Sequence, residues 1–384
     1  MSFFDNFDFA RARELSLRSE SAGRAEVESA LASRNLSFSG FLALISPAGG
    51  AYLEELAQRA RRVTRERFGR VVRLYAPIYL SNECTNSCLY CGFARQNEVR
   101  RVTLTGEEAQ KEGEFLWDEG FRDILLVSGE SPKAVPPEAL ARTSRLLAPR
   151  FPSISVEVYP METEEYGLLG SSGVEGVTVY QETYDPEIYA RVHPRGRKAD
   201  YKRRISTPDR VGEARLRKVG IGALLGLGPW RVEAISLALH ALWLEKAHWR
   251  TQVSISFPRI RSAAGHFNPP SPISDRELAQ MALALRLLLP DVGLTLSTRE
   301  TAKFRDGLAP LCFTAISAGS RTEPGGYSKP GEAEEQFAVE DKRTPAEVSR
   351  MLLEAGLEPV FKDFDQTLIT GGEDASNLTV GAFQ

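Results

Sequence analysis

The sequence predicts an α/β fold: a (β/α)8 barrel of the TIM type, preceded by an N-terminal helical extension. Three observations carry this. From Val72 onward, short apolar, β-prone runs alternate with helix-forming stretches, a rhythm that builds a parallel sheet. Eight such runs occur, at 74–79, 123–127, 154–158, 176–180, 218–225, 253–257, 293–296 and 313–316, and eight strand–helix units match the roughly 250-residue size of a closed barrel. Polar or unusual residues fall just past the strand ends, where this fold keeps its active sites. An open, six-stranded partial barrel is the alternative.

Residues 1–71 read as the extension. Apolar residues recur at spacings of three and four among charges over 10–19, 24–34 and 50–68, the pattern of amphipathic helices. Phe38-Ser39-Gly40-Phe41 and Ser46-Pro47-Ala48-Gly49-Gly50 read as breaks between them. The barrel spans 72–360. Its helices are expected at 106–119, 137–149, 163–170, 208–217, 232–245, 275–289 and 300–308, with 344–355 as the eighth. Thr105-Gly106-Glu107-Glu108 and Ser274-Asp275-Arg276-Glu277 are helix start signals. Residues 361–384 read as a C-terminal tail, polar and Gly-rich around Thr370-Gly371-Gly372 and expected to be mobile.

Bulk composition excludes several function classes. Hydrophobic content of 42% and charged content of 26% are ordinary for a globular chain. A net charge of −3 gives no electrostatic case for nucleic acid or an anionic membrane. Arg-rich stretches at 59–70 and 191–210 are interleaved with acids or apolar residues and read as solvated helix faces. No apolar run reaches the ~18 residues of a membrane span. Met1-Ser2-Phe3-Phe4-Asp5 has no basic region followed by an apolar core, so a cytoplasmic location is expected.

The loop after the first strand is the most informative stretch. In Ser81-Asn82-Glu83-Cys84-Thr85-Asn86-Ser87-Cys88-Leu89-Tyr90-Cys91-Gly92, three of the four cysteines are spaced C-x3-C-x2-C. Thiolates are the usual ligands of iron–sulfur clusters. Cys84, Cys88 and Cys91 on a [4Fe–4S] cube leave one iron without a protein ligand, an open position for chemistry. A structural zinc site needs a fourth ligand, and His193, His240, His248 and His266 are remote and form no close pair. A disulfide framework is disfavoured by the odd number and a reducing compartment. Cys312 reads as a buried apolar thiol.

With Tyr90 before the third Cys, the loop resembles the signature C-x3-C-x-aromatic-C of radical S-adenosylmethionine (SAM) enzymes. A zwitterionic cofactor at an open iron needs a carboxylate for its ammonium and a cation for its carboxylate. Glu130, beside Gly129, is placed for the first; Arg204 and Arg191 are candidates for the second. Gln181 and Glu157 are candidates for ribose hydroxyls. Arg299, after the seventh strand, can clamp an amino-acid carboxylate through two parallel hydrogen bonds. Ser317 and Tyr79 can reach the same space from neighbouring strands.

Further motifs sharpen the resemblance. Ala76-Pro77-Ile78-Tyr79-Leu80-Ser81-Asn82-Glu83-Cys84, Tyr180-Gln181-Glu182-Thr183-Tyr184, Ser254-Ile255-Ser256-Phe257-Pro258-Arg259, Leu294-Thr295-Leu296-Ser297-Thr298-Arg299-Glu300 and Ser317-Ala318-Gly319-Ser320-Arg321-Thr322-Glu323-Pro324-Gly325-Gly326-Tyr327 are similar to the tyrosine lyases of thiamine biosynthesis, the 2-iminoacetate synthase family. The likeness runs from about residue 10 to about 365 and implies a radical SAM barrel. It also implies cleavage of the Cα–Cβ bond of L-tyrosine to 2-iminoacetate (dehydroglycine) and p-cresol, with a [4Fe–4S] cluster and SAM as cofactors. The implied partners are thiazole synthase and a one-electron donor such as flavodoxin or ferredoxin. By motif position, Tyr79, Arg299 and Ser317 would hold the substrate and Glu130 would hold SAM. The hydrogenase-maturation tyrosine lyase would need a second cluster, and only Cys312 follows Cys91; a biotin-synthase-like sulfur inserter meets the same objection. Another radical SAM aromatic amino-acid lyase, or a non-catalytic iron–sulfur protein, is the alternative.

Overall fold

The computed structural model describes residues 2–363. Eight parallel strands form a closed ring: β1 (Val71–Ser81), β2 (Asp123–Ser128), β3 (Ser153–Glu157), β4 (Val174–Glu182), β5 (Lys218–Ala223), β6 (Gln252–Ser256), β7 (Gly293–Leu296) and β8 (Ala315–Ser317). Each pairs with the next, and β8 closes on β1 through Arg73↔Ala315 and Leu74↔Ile316. The partial-barrel alternative falls. A ninth strand, β9 (Glu358–Val360), pairs with β1 at Val71–Arg73, below the start of β2. Three residues with Pro359 at their centre carry no strand pattern of their own.

Strand alternation explains the two sides of β1. Leu74, Ala76, Ile78 and Leu80 belong to the apolar core between strands and helices, while Tyr75, Pro77 and Tyr79 line a cavity inside the ring. Charged groups ring the foot of the barrel. Arg73 meets Asp123 at 3.0 Å, Lys218 meets Glu175 at 2.8 Å, and Asp363 lies 2.5 Å from Lys218 and 3.0 Å from Arg217. Arg73, Lys218 and Asp363 line a cavity of about 830 Å3 at this end, and the cysteine loop lies at the other.

The helices follow their start signals. Gly106–Asp118 and Asp275–Leu288 begin at capping boxes set by Thr105 with Glu108 and Ser274 with Glu277. Two expectations need correction. Phe38–Leu44 is a helix, not a break: Ser37 caps it, and Phe41, Leu42, Ala43 and Leu44 are all buried, so tertiary packing overrides the local Gly and Ser signals. Between β4 and β5 lie Pro186–Val192, Tyr201–Ile205 and Thr207–Glu213, where one helix at 208–217 was expected. The first two start on Asp185 and Asp200 caps, and the second carries buried Arg204. The solvated-face reading fails at two arginines. Arg59 is buried and donates to the carbonyls of Ala30 and Leu31, each at 2.7 Å; Arg204 is buried at the barrel mouth.

The N-terminal helices wrap the outer layer. Leu53–Phe68 packs on Asp275–Leu288 and Ala302–Cys312, and Phe9–Glu20 packs on Trp230–Ala247. Their buried residues belong to the same continuous core as the barrel. No helix among the described residues is long and apolar enough to cross a membrane. Of the expected tail at 361–384, residues 364–384 lie outside the described residues.

Candidate active site at the barrel mouth

The chain leaves β1 at Ser81 and returns through a bridge between Ser81 and Thr103. The cysteine loop between them is pinned from several sides. Gly129 N donates to Ser81 O at 2.9 Å, and Thr85 N and Oγ1 both donate to Glu130 O, at 3.1 and 2.9 Å. Ser87 N donates to Arg195 O and Leu89 N to Val192 O, each at 3.1 Å. Arg101 ties the far side by donating to the carbonyls of Asn82, Phe93 and Ala94. A loop with no regular structure of its own is thus tied to β1, to the loop after β2 and to the segment after β4 by hydrogen bonds.

Cys84, Cys88 and Cys91 are free thiols that line one cavity of about 570 Å3. Glu130, Glu157, Glu182, Lys198, Arg204 and Gln336 line it too. Burial pushes the Cys84 and Cys88 thiols up, so a metal must displace protons to bind. Among the described residues, no three Cys, His or carboxylate groups converge on a single ion position. Three thiols around a shared hollow, without convergence, fit a multi-iron cluster better than mononuclear zinc. The cradle is shaped for close approach: a Cβ on Gly129 would lie 2.3 Å from Glu83 O.

Opposite charges ring this hollow. Arg204 Nη1 lies 2.5 Å from Glu130 Oε1, and its Nε donates to Tyr180 O at 2.6 Å. Asn86 Nδ2 donates to Glu130 Oε2 at 2.8 Å, and Lys198 Nζ lies 2.6 Å from Glu182 Oε1. Burial opposes the charge on Arg204, but Glu130 and Glu182 outweigh it and its pKa ends raised. Burial also favours neutral Glu182, yet Lys198 and Arg204 outweigh it and its pKa falls. Both signs of charge persist in a partly dry cavity, as a zwitterionic ligand requires.

A second cavity, about 510 Å3, adjoins the first through Val127, Glu157 and Tyr180, which line both. Tyr79, Arg299 and Ser317 all face it. The Arg299 guanidinium stacks on Phe337, 3.4 Å from the ring centroid, and donates no side-chain hydrogen bond among the described residues. Ser317 Oγ accepts from Thr298 N at 3.0 Å, and Tyr79 OH donates to Gln336 Oε1 at 2.8 Å. Glu157 stands at the junction. Burial, then the Glu182 carboxylate, raises its pKa to about 7, with Arg299 pulling the other way.

Other expected residues lie elsewhere. Gln181 is buried but lines neither cavity, and its amide has no partner among the described residues. Neighbouring Tyr180 and Glu182 face inward instead. Tyr90 lies behind the cysteine loop, its hydroxyl 2.8 Å from His193 Nε2. Burial, then Lys198, depresses His193 to about 2, so that ring is neutral. Arg191 is exposed on its helix. Asn86, Lys198, Gln336 and Phe337 line the two cavities without having been anticipated. Only Asn86 had a local signal, its place inside the cysteine motif.

Residues 78–238 match the radical SAM superfamily, and residues 256–358 match the biotin and thiamin synthesis associated domain. The chain is 44% identical over 356 residues to 2-iminoacetate synthase of Escherichia coli (strain K12), spanning 92% of this chain and 94% of that one. It is 42% identical over 368 residues to 2-iminoacetate synthase of Salmonella typhimurium, spanning 96% and 98%. Among solved structures, HydG, a maturase of the [FeFe]-hydrogenase, superposes with a TM-score of 0.86 at 30% identity, covering 92% of this chain and 81% of that one. HydG from Carboxydothermus hydrogenoformans gives 0.84 at 32% identity, covering 92% and 83%. Radical SAM enzymes use a [4Fe–4S] cluster and SAM, and these are the cofactors of this chain. A closed barrel whose mouth joins three free thiols to a charged hollow, and near-full-length identity above 40% to two such synthases, lead to one assignment: the chain belongs to the 2-iminoacetate synthase family of radical SAM lyases.

Proposed function

We propose that this lyase cleaves the Cα–Cβ bond of L-tyrosine, giving 2-iminoacetate for the thiazole moiety of thiamine and p-cresol. One observation carries the reading: Tyr79, Arg299 and Ser317 line a cavity that adjoins the cavity of the three thiols, the two sharing Val127, Glu157 and Tyr180. Cys84, Cys88 and Cys91 would hold the cluster. Glu130 and Arg204, a contacting pair of opposite sign, would face the ammonium and carboxylate of SAM, with Glu182 and Lys198 beside them. When bound, the reduced cluster and SAM supply a carbon radical able to take a hydrogen from the amino group.

The chain's own residues then do the positioning, the main contribution a protein makes to such chemistry. Among the described residues Arg299 has its donors unspent, and its plane is fixed on Phe337, so it can clamp the substrate carboxylate in two parallel bonds. Ser317 and Tyr79 bound the same space, and the amino group is turned toward Glu157 and Tyr180 at the junction. Glu157, titrating near neutrality, can hold a proton there. The product imine hydrolyses in water, which favours direct transfer to thiazole synthase. A flavodoxin or ferredoxin would supply the electron, and an oxygen-sensitive cluster suits the cytoplasm.

Anaerobic reconstitution with SAM, L-tyrosine and a reductant tests this. The expected result is p-cresol in step with tyrosine consumed, together with glyoxylate from hydrolysed imine. Cleavage of SAM without p-cresol would reject the substrate.

A further inference from the structure

The loop after β8 crosses both cavities at 336–337. Phe337 faces the amino-acid cavity and supports Arg299. Gln336 faces the thiol cavity. Its backbone is fixed on two sides: Gly92 N donates to Gln336 O at 3.1 Å, and Gln336 N donates to Thr322 O at 2.9 Å. A Cβ on Gly92 would lie 2.6 Å from Gln336 O, so the two loops touch backbone to backbone. The Gln336 side chain spans the remaining gap. Tyr79 OH donates to its Oε1 at 2.8 Å, and its Nε2 donates to Cys91 Sγ at 3.7 Å. The amide has one sensible orientation. A thiolate only accepts, so the nitrogen faces sulfur and the oxygen is left for the tyrosine hydroxyl.

We propose that Gln336 is a positioning residue that couples the cluster to the amino-acid cavity, donating to the Cys91 thiolate while accepting from Tyr79. This rests on the reading of the three thiols as cluster ligands and of Tyr79 as part of the substrate cavity. Hydrogen bonds to a ligating sulfur stabilise the extra negative charge of the reduced cluster and so raise its potential. The hydroxyl at the other end of the amide polarises it and strengthens the N–H donor. One side chain thus helps reduce the cluster and holds a wall of the substrate cavity.

The test compares wild type, Gln336→Leu and Gln336→Glu after anaerobic reconstitution. Iron, sulfide and the EPR response to SAM are measured first, then the cluster potential and the binding of L-tyrosine. Leucine removes both hydrogen bonds at similar volume. Glutamate keeps an oxygen for Tyr79 but presents no N–H to sulfur. Both variants should shift the one-electron reduction equilibrium about tenfold toward the oxidised cluster, which is about 59 mV. Tyrosine binding should weaken about fivefold in Gln336→Leu, the loss of one hydrogen bond, and be retained in Gln336→Glu. Wild-type potentials in both variants, with clusters intact, overturn the proposal; so does equal tyrosine binding in all three proteins. A wild-type protein with no SAM-responsive cluster rejects the reading of the thiols instead.

Discussion

One methyl group at Gly129 should unseat the cysteine loop. An ideal Cβ there would lie 2.3 Å from Glu83 O, 3.0 Å from Glu83 C and 3.3 Å from Cys84 Cβ. Ordinary C···O contacts sit near 3.3 Å, so one of the two backbones must retreat by about 1 Å. Neither is free to do so. Gly129 N is bonded to Ser81 O, and the next residue's carbonyl takes two donors from Thr85. Gly129 is absent from the residues with positive φ, so alanine meets no backbone strain and the effect is one of space alone. Overpacking of this kind costs about 1–3 kcal/mol, and a domain with roughly 5–15 kcal/mol of stability survives it. The cluster does not, because a site needs its groups held within about 0.5 Å. Gly129→Ala should therefore fold, melt cooperatively and carry little iron. The assay is iron and sulfide per chain after anaerobic reconstitution, alongside thermal melting by circular dichroism and SAM cleavage. Wild-type iron content with normal SAM cleavage would refute the argument that this contact seats Cys84.

Other expectations follow from the same geometry. Changing Cys84, Cys88 or Cys91 to Ala should abolish the cluster, whereas Cys312→Ala, at a fully buried apolar site, should leave iron content unchanged; equal iron in a loop variant would sink the ligand assignment. Arg299→Lys keeps the charge but not the fork, and tyrosine binding should fall at least about tenfold while SAM cleavage remains possible; undiminished affinity would discard the clamp. Glu157 is neutral below its pKa of about 7 and negative above it. Above that pH its negative charge faces the substrate ammonium turned toward it, so KM for tyrosine should fall as pH passes 7, and Glu157→Gln should flatten the profile. A profile that the substitution leaves unaltered would remove Glu157 from the site's electrostatics.

What could be read from sequence divides by how far apart the partners lie. The strand–helix rhythm and the cysteine triad are local patterns, and both the barrel and the thiol loop were visible from them. Arg204 was not placed among solvated arginines by faulty chemistry. Its burial depends on Glu130, 74 residues away, and no nearby residue reports it. Gln336 is more remote still, 245 residues from Cys91 and 257 from Tyr79; nothing around it distinguishes it from a surface glutamine. The helix at Phe38–Leu44 hid behind Gly40 and two serines because only its contacts make it helical. Glu182 and Gln181 show the same dependence. Tyr180 and Glu182 both face the thiol cavity while Gln181 does not. The pairing of β4 with β5 shifts register between Tyr180 and Glu182, and Glu182 sits at φ 70°, so an irregular strand end, not simple alternation, sets these directions. That irregularity, like the mouth's long-range contacts, is created by folding and has no counterpart along the chain. The same distinction says where further roles in this site will be found: on the loops from β4 and β8, whose side chains reach the cysteines only through the closed ring.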